Sequence, residues 1–182
     1  HLSNKINEKK YATRLTFDSI SLNRLELRTT GYTETQKSVS ISGLGSVGSN
    51  LIFFLKNLPI NKFNLIDKEV LSSENIKRHL SGFSLLKINK ADALKIELKN
   101  ANPLIEVGTR TQSVTTIIET EADFINDCDF HIVAIGKTMI EEFILNNLQQ
   151  GKLTKPTLIK LSQNEHNKCQ VLQLIHAGKK NL

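Results

Sequence analysis

Two periodicities alternate along this chain. Val39-Ser40-Ile41-Ser42 alternates apolar and small polar residues, the period of a strand. It runs into Gly43-Leu44-Gly45-Ser46-Val47-Gly48, after which a helical pattern extends from about Gly45 to Leu58 and stops at Pro59. Phe63-Asn64-Leu65-Ile66 is a second strand, ending at Asp67. Ser72–His79 predicts a short helix with a serine cap, and Lys87–Asn100 a longer one ended by Asn102-Pro103. Leu104–Thr109 reads as a third strand and Thr120–Asn126 as one or two helical turns. Phe130–Ile135 is a nearly continuous apolar run, as expected of a central strand buried on both faces. Residues 138–150 form the next helix, ended by Gly151, and Pro156–Leu161 and Gln170–His176 supply two further strands. Strands alternating with helices predict an α/β fold, doubly wound and Rossmann-like, with a mostly parallel sheet and helices on both faces. Upstream, Leu15, Ile20, Leu22, Leu25 and Leu27 fall at helical spacing within 11–28, so residues 1–30 read as an N-terminal helical arm.

Composition narrows the classes. The chain's 182 residues suit one domain, and 39% hydrophobic with 23% charged residues is ordinary for a globular protein. No apolar run reaches the roughly 18–20 residues a membrane span needs, and the N-terminus lacks the apolar block of a signal peptide. His1 in place of Met reads as a tag remnant or an excised fragment. Two cysteines, Cys128 and Cys169, with no Cys-x-x-Cys, make no disulfide framework, which suits a reducing cytoplasm. The net charge of +6 comes from scattered lysines without an aromatic-rich strand for base stacking, which argues against nucleic acid and leaves ATP or an acidic protein as attractors. His166, Cys169 and His176 match no usual zinc spacing, and both cysteines read as packed thiols. His131 reads as a core histidine, and His79 either touches phosphate or sits at the surface as a cap.

The glycine loop carries the chemistry. Gly43 permits a tight turn, Gly45 removes a Cβ where a phosphate must approach, and Gly48 lets the following helix pack against the strand. That helix aims free N–H groups at the anion, its first residues including Ser46 and Val47. Asp67 lies 24 residues after Gly43, about where a ribose-binding carboxylate belongs. Both a nicotinamide enzyme and an ATP enzyme fit this much. Asn75 and Arg78, three residues apart on one helical face, and Lys90 at the start of the next helix tilt the choice towards a triphosphate, whose charges need fixed partners.

Taken in order, Gly43-Leu44-Gly45-Ser46-Val47-Gly48, Asp67, Glu74-Asn75-x-x-Arg78-His79, Lys90-Ala91 and Asn102-Pro103 resemble the adenylation domain of the ThiF/MoeB/HesA superfamily, the relatives of ubiquitin-activating enzymes. Asn23-Arg24-x-x-x-Leu27-Arg28 is similar to the N-terminal element of those proteins, and the resemblance spans roughly residues 20–165. The Gly-Ser-Val-Gly loop and the Arg-His pair look most like bacterial members from ubiquitin-like or antiphage conjugation systems. The resemblance implies an ATP-binding adenylation domain over 31–182, shorter at its C-terminus than the family. It implies that Asp67 holds the ribose, that Asn75, Arg78 and Lys90 hold the phosphates, and that Arg24 reaches the triphosphate of a neighbouring subunit in a homodimer. The implied reaction is attack by the C-terminal glycine carboxylate of a ubiquitin-like or sulfur-carrier protein on the α-phosphorus of ATP. Arg24, Arg78 and Lys90 would supply charge, since the step is positioning and electrostatic stabilisation.

Two positions depart from the pattern. The magnesium-binding Asp that the family places after the central strand falls here at Lys137 or Thr138, so Mg2+ is implied without an identified ligand. The family's Gly three residues before the phosphate-binding lysine is Lys87. These departures keep open a pseudo-adenylation domain that binds nucleotide as a sensor or dimerisation platform, beside an NAD(P)-dependent oxidoreductase.

Overall fold

The computed structural model describes residues 35–161 and the strand 171–175, together with Ser21, Arg24, Leu27 and Arg28. Arg24, Leu27 and Arg28 are helical and exposed; the rest of the expected arm, and Cys169, His166 and His176, lie outside the described residues.

Six strands form one sheet: β1 (Lys37–Ser42), β2 (Ile60–Ile66), β3 (Glu106–Arg110), β4 (Phe130–Val133), β5 (Thr157–Leu161) and β6 (Val171–Ile175). Their spatial order is β3-β2-β1-β4-β5-β6; β1 to β5 run parallel and β6 runs antiparallel to β5. Helices α1 (Ser46–Leu55) and α2 (Lys90–Ala101) cover one face, and α3 (Val114–Thr120), α4 (Asp123–Asn126) and α5 (Thr138–Gln149) the other. This is the doubly wound, mostly parallel fold expected from the sequence.

Alternation along the strands sorts the side chains. Val39, Ile41, Phe63 and Leu65 pack with Ile52, Leu94 and Leu98 beneath α1 and α2. Val133 and Ile159 pack with Ile117, Ile118 and Ile144 on the opposite face. On that second face β1 contributes Ser40 and Ser42, both fully buried; Ser42 Oγ lies 2.9 Å from His131 Nε2, and no described group bonds His131 Nδ1. Burial alone drives the His131 pKa down to about 3, so this is a neutral core histidine.

Boundaries shift where local chemistry intervenes. The first helix ends at Leu55, not Leu58, because Pro59 disfavours helical backbone before it and the last turns tighten (Asn57 N–H to Phe54 O, Leu58 N–H to Leu55 O). The helix expected from Lys87 starts at Lys90: Lys87 sits at φ 66°, and Asn89 caps the helix by accepting from Ala91 N–H at 2.8 Å. Over 72–79 only Ser73–Asn75 is helical, a short 3-10 turn closed by a Ser72/Asn75 capping box. The reading of Thr120–Asn126 missed most of a helix, since α3 begins at Val114 behind the Ser113 cap.

Candidate functional site: a cleft at the strand-order switch

The direction in which strands are added reverses between β1 and β4, which opens a crevice beyond their carboxyl ends, where ligands of open α/β sheets bind. A cleft of about 290 Å³ occupies this place. One wall is Gly43, Gly45 and Ile66 to Glu69; the other is Gln112–Thr115 with Ala134, Ile135, Lys137 and Ile140.

The glycine loop has the close-packed backbone geometry expected of it. Gly43 adopts φ +88°, and a Cβ there would lie 2.7 Å from Ile135 Cγ1 and 2.8 Å from the Ala134 backbone. A Cβ on Gly48 would strike the Gly43 carbonyl oxygen at 2.0 Å, so the glycine is what lets α1 approach β1. At Gly45 a Cβ would meet no protein atom within 4 Å; it would project into open space at the cleft, where a phosphate can come close to the backbone.

Leu44, at the centre of the loop, is held at both ends of its peptide groups. Its N–H donates to Asp67 Oδ2 at 2.7 Å, and its carbonyl accepts from His79 Nε2 at 2.9 Å. Asp67 Oδ1 also accepts from Glu69 N–H at 2.8 Å, and the Asp67 carbonyl from Asn89 Nδ2 at 3.0 Å. Each carboxylate oxygen has a second acceptor site, so Asp67 retains capacity for ribose hydroxyls while shaping the loop. His79 Nδ1 accepts from Ser81 N–H at 3.0 Å, which makes it a neutral Nε2–H tautomer. Burial lowers its pKa, against a smaller upward pull from the Leu44 carbonyl. It is thus neither a phosphate ligand nor a surface cap but a clamp on the loop, and its place beside Arg78 gave no sequence signal of that.

Of the other expected residues, Arg78 and Lys90 are bonded to groups beside the loop and the cleft. Asn50, at the start of the second turn of α1, donates to Ser46 O at 2.6 Å and to Arg78 O at 3.0 Å, tying the Arg78 backbone to the helix start beside the loop. The Arg78 side chain is exposed. Lys90 is 4% exposed, and its Nζ pairs with Glu69 Oε2 at 2.6 Å. Asn75 Oδ1 is engaged locally, accepting from Ser72 N and Oγ at 3.3 and 3.0 Å. Of the expected site residues, Gly43, Gly45 and Asp67 line the cleft itself; Ser46, Val47 and Gly48 continue the loop into α1; Asn75, Arg78 and Lys90 lie outside the lining. Arg24 is exposed, its N–H donating to Ser21 Oγ at 3.3 Å.

Reading the sequence missed Lys68, Glu69, Gln112, Ser113 and Thr115 as lining residues. For the second wall a signal existed: Ser113 as a cap before Val114, Ile117 and Ile118 at helical spacing.

The donor set does not fit a divalent cation. Asp67 is engaged by two backbone N–H groups and Glu69 by Lys90, and Lys137 and Thr138 stand at the start of α5 where the carboxylate was expected. Among the described residues no three His, Cys, Asp or Glu side chains come together in a way that could hold a metal ion. Asp129 belongs to the opposite end of the sheet, where it accepts from Ser38 N and Oγ, both at 2.8 Å.

Solved structures share this fold. E. coli MccB with succinimide superimposes with a TM-score of 0.66 at 19% identity, over 86% of this chain and 44% of MccB. The AMP complex of E. coli TcdA, a tRNA N6-threonylcarbamoyladenosine dehydratase, gives 0.59 at 18%, over 73% of this chain and 52% of TcdA. PaaA gives 0.58 at 24%, over 69% and 38%. MccB has also been solved with ATP. The chain spans about half the length of these neighbours, or less. No curated protein sequence matches it closely enough to count as a relative. The ThiF family model, however, matches residues 21–174, and the chain belongs to the ThiF family.

Proposed function

We propose that this chain is an ATP-binding adenylation domain that activates a carboxylate as an acyl-adenylate. The observation that carries the reading is the clamped loop: Leu44 is held between Asp67 and His79, Gly45 next to it lines the cleft, and the Arg78 backbone is strapped to the helix start. The cleft is near the lower end of the roughly 300–1,000 Å³ usual for small-ligand sites. In this reading Asp67 receives the ribose, and the loop N–H groups, Arg78 and Lys90 receive the phosphates. A carboxylate oxygen attacks the α-phosphorus, the bond to the bridging oxygen of the β-phosphate breaks, and pyrophosphate leaves. No proton need move when the attacking group is ionised, so fixed donors and cations suffice.

The carboxylate is best taken as the C-terminal glycine of a ubiquitin-like or sulfur-carrier protein, with Arg24 acting across a homodimer; both rest on the family resemblance. The unfit metal set favours one second reading, a nucleotide-binding pseudo-adenylation domain, which would bind ATP without releasing pyrophosphate in the presence of any carrier.

The test is calorimetric titration of the full chain with ATP and, separately, NADH, beside Arg78→Ala. The reading expects micromolar ATP binding that weakens at least tenfold in the variant, because a charged donor to phosphate is worth about 1.5–3 kcal/mol. NADH binding without ATP binding would put an oxidoreductase in its place.

A further inference from the structure

The cleft carries a cation on each wall, Lys68 beside the loop and Lys137 across from it, where a metal-assisted site would place oxygen ligands. Lys68 and Lys137 both line the cleft, and among the described residues neither has a salt-bridge partner. The acids available to offset them are Asp67 and Glu69. Asp67 is turned into the loop backbone, and Glu69 already serves Lys90. Three lysines therefore face two engaged carboxylates in this corner. The field is felt at Glu69, whose carboxyl is held below its usual range first by the Lys90 hydrogen bond and charge, and further by Lys137 and Lys68. Magnesium on a polyphosphate is usually held by one or two protein carboxylates besides waters and phosphate oxygens, and here both carboxylates in the lining are already engaged while its uncommitted charged side chains are ammonium groups. A polyphosphate suits them: a lysine ammonium is a mobile point charge with three donors.

We propose that Lys137 takes over the charge-neutralising part that a divalent cation would play, so that the cleft binds its nucleoside triphosphate metal-free. The proposal rests on the nucleotide reading above and adds to it which species is bound and which residue compensates its charge. Lys137 is the N-cap residue of α5 and is exposed, so its ammonium can follow the phosphates without disturbing the core.

The experiment is titration of the full 182-residue chain with ATP, once in EDTA and once in excess magnesium chloride, for the wild type, Lys137→Ala and Lys137→Asp. Thermal melting of each variant checks folding. Free ATP is expected to bind the wild type at least as tightly as magnesium–ATP. Lys137→Ala should lose about tenfold or more of the metal-free affinity. Lys137→Asp should lose it further and recover part of it when magnesium is added. Wild-type binding that occurs only with magnesium overturns the proposal while leaving the nucleotide site intact. Equal metal-free affinity in wild type and Lys137→Ala overturns the role of Lys137. Absence of ATP binding in both buffers overturns the nucleotide reading itself, and this proposal with it. The wild-type comparison between buffers holds even if a variant fails to fold.

Discussion

The two walls of the cleft are built in opposite ways. On the loop side nearly every polar group is committed: Asp67 to Leu44 and Glu69, His79 to Leu44 and Ser81, Glu69 to Lys90, Asn89 to Asp67 and Ala91. On the far side Ser113 is committed to capping α3, while Lys137 has no salt-bridge partner among the described residues. The first wall fixes a backbone shape before any ligand arrives, which is how a binding site avoids paying ordering entropy at the moment of binding. The second supplies charge on a flexible stem and can adapt. Shape is therefore vulnerable to the loss of single hydrogen bonds, and charge to single lysines.

The largest effect should come from breaking the shaped wall. Asp67→Asn replaces one carboxylate oxygen with an NH2 group facing a backbone N–H, so one acceptor becomes a clashing donor. Charge-assisted bonds of this kind are worth about 1.5–3 kcal/mol each, so ATP affinity should fall by about two orders of magnitude, with a lower melting temperature. Calorimetry and thermal melting check both. Unchanged affinity would mean that Asp67 does not shape the loop.

Acid should act next, and on both sides of the sheet at once. His79 and His131 are held neutral, with folded-state pKa values below the ordinary 6.5. Below pH 6.5 the unfolded chain binds protons that the folded chain refuses, so stability is fully present above that pH and is lost as the pH falls. For His131 the loss continues down to about pH 3, at a limiting slope of about 1.4 kcal/mol per pH unit for one group. Denaturant midpoints between pH 7 and pH 5 measure the slope. ATP affinity should hold while folded His79 stays neutral and fall once acid protonates it, because a protonated His79 can no longer accept from Ser81 N–H. A flat stability profile would contradict the neutral assignments.

The smallest effect sharpens the corner between the walls. Lys87, at φ 66°, is the one positive-φ residue other than glycine among those described, and it stands where the family resemblance places a glycine. Left-handed backbone costs a side-chain-bearing residue about 1–2 kcal/mol, partly offset by the greater freedom glycine has when unfolded. Lys87→Gly should therefore raise stability by up to about 1 kcal/mol, read from denaturant unfolding, with ATP affinity unchanged because Lys87 lies outside the cleft lining.

What was legible in the sequence was local. The alternating β1, the glycine loop, the acid ending β2 and Lys90 opening a helix are each set by a few adjacent residues, and all stand where expected. The loop clamp was not legible, because His79 meets Leu44 across 35 positions and a buried neutral histidine has no local signature. The second wall was hidden for a related reason. Gln112–Thr115 and Ala134–Lys137 follow strands on opposite sides of β1, and only the crossover topology brings them to one cleft. The β-branched run Val114–Ile118 also masked α3, whose helical spacing shows once Ser113 is taken as its cap. Lys87 could be compared with a glycine in the resemblance, but its left-handed backbone is visible only in the fold.

The central claim is that the clamped loop is a triphosphate cradle. A crystal structure of the full chain with a non-hydrolysable ATP analogue tests it most directly. The account expects the ribose hydroxyls on Asp67, the phosphates on the N–H groups of Gly45 to Val47, and the Arg78 guanidinium turned onto them. A nucleotide bound elsewhere, or a cleft that stays empty at saturating analogue, would contradict it.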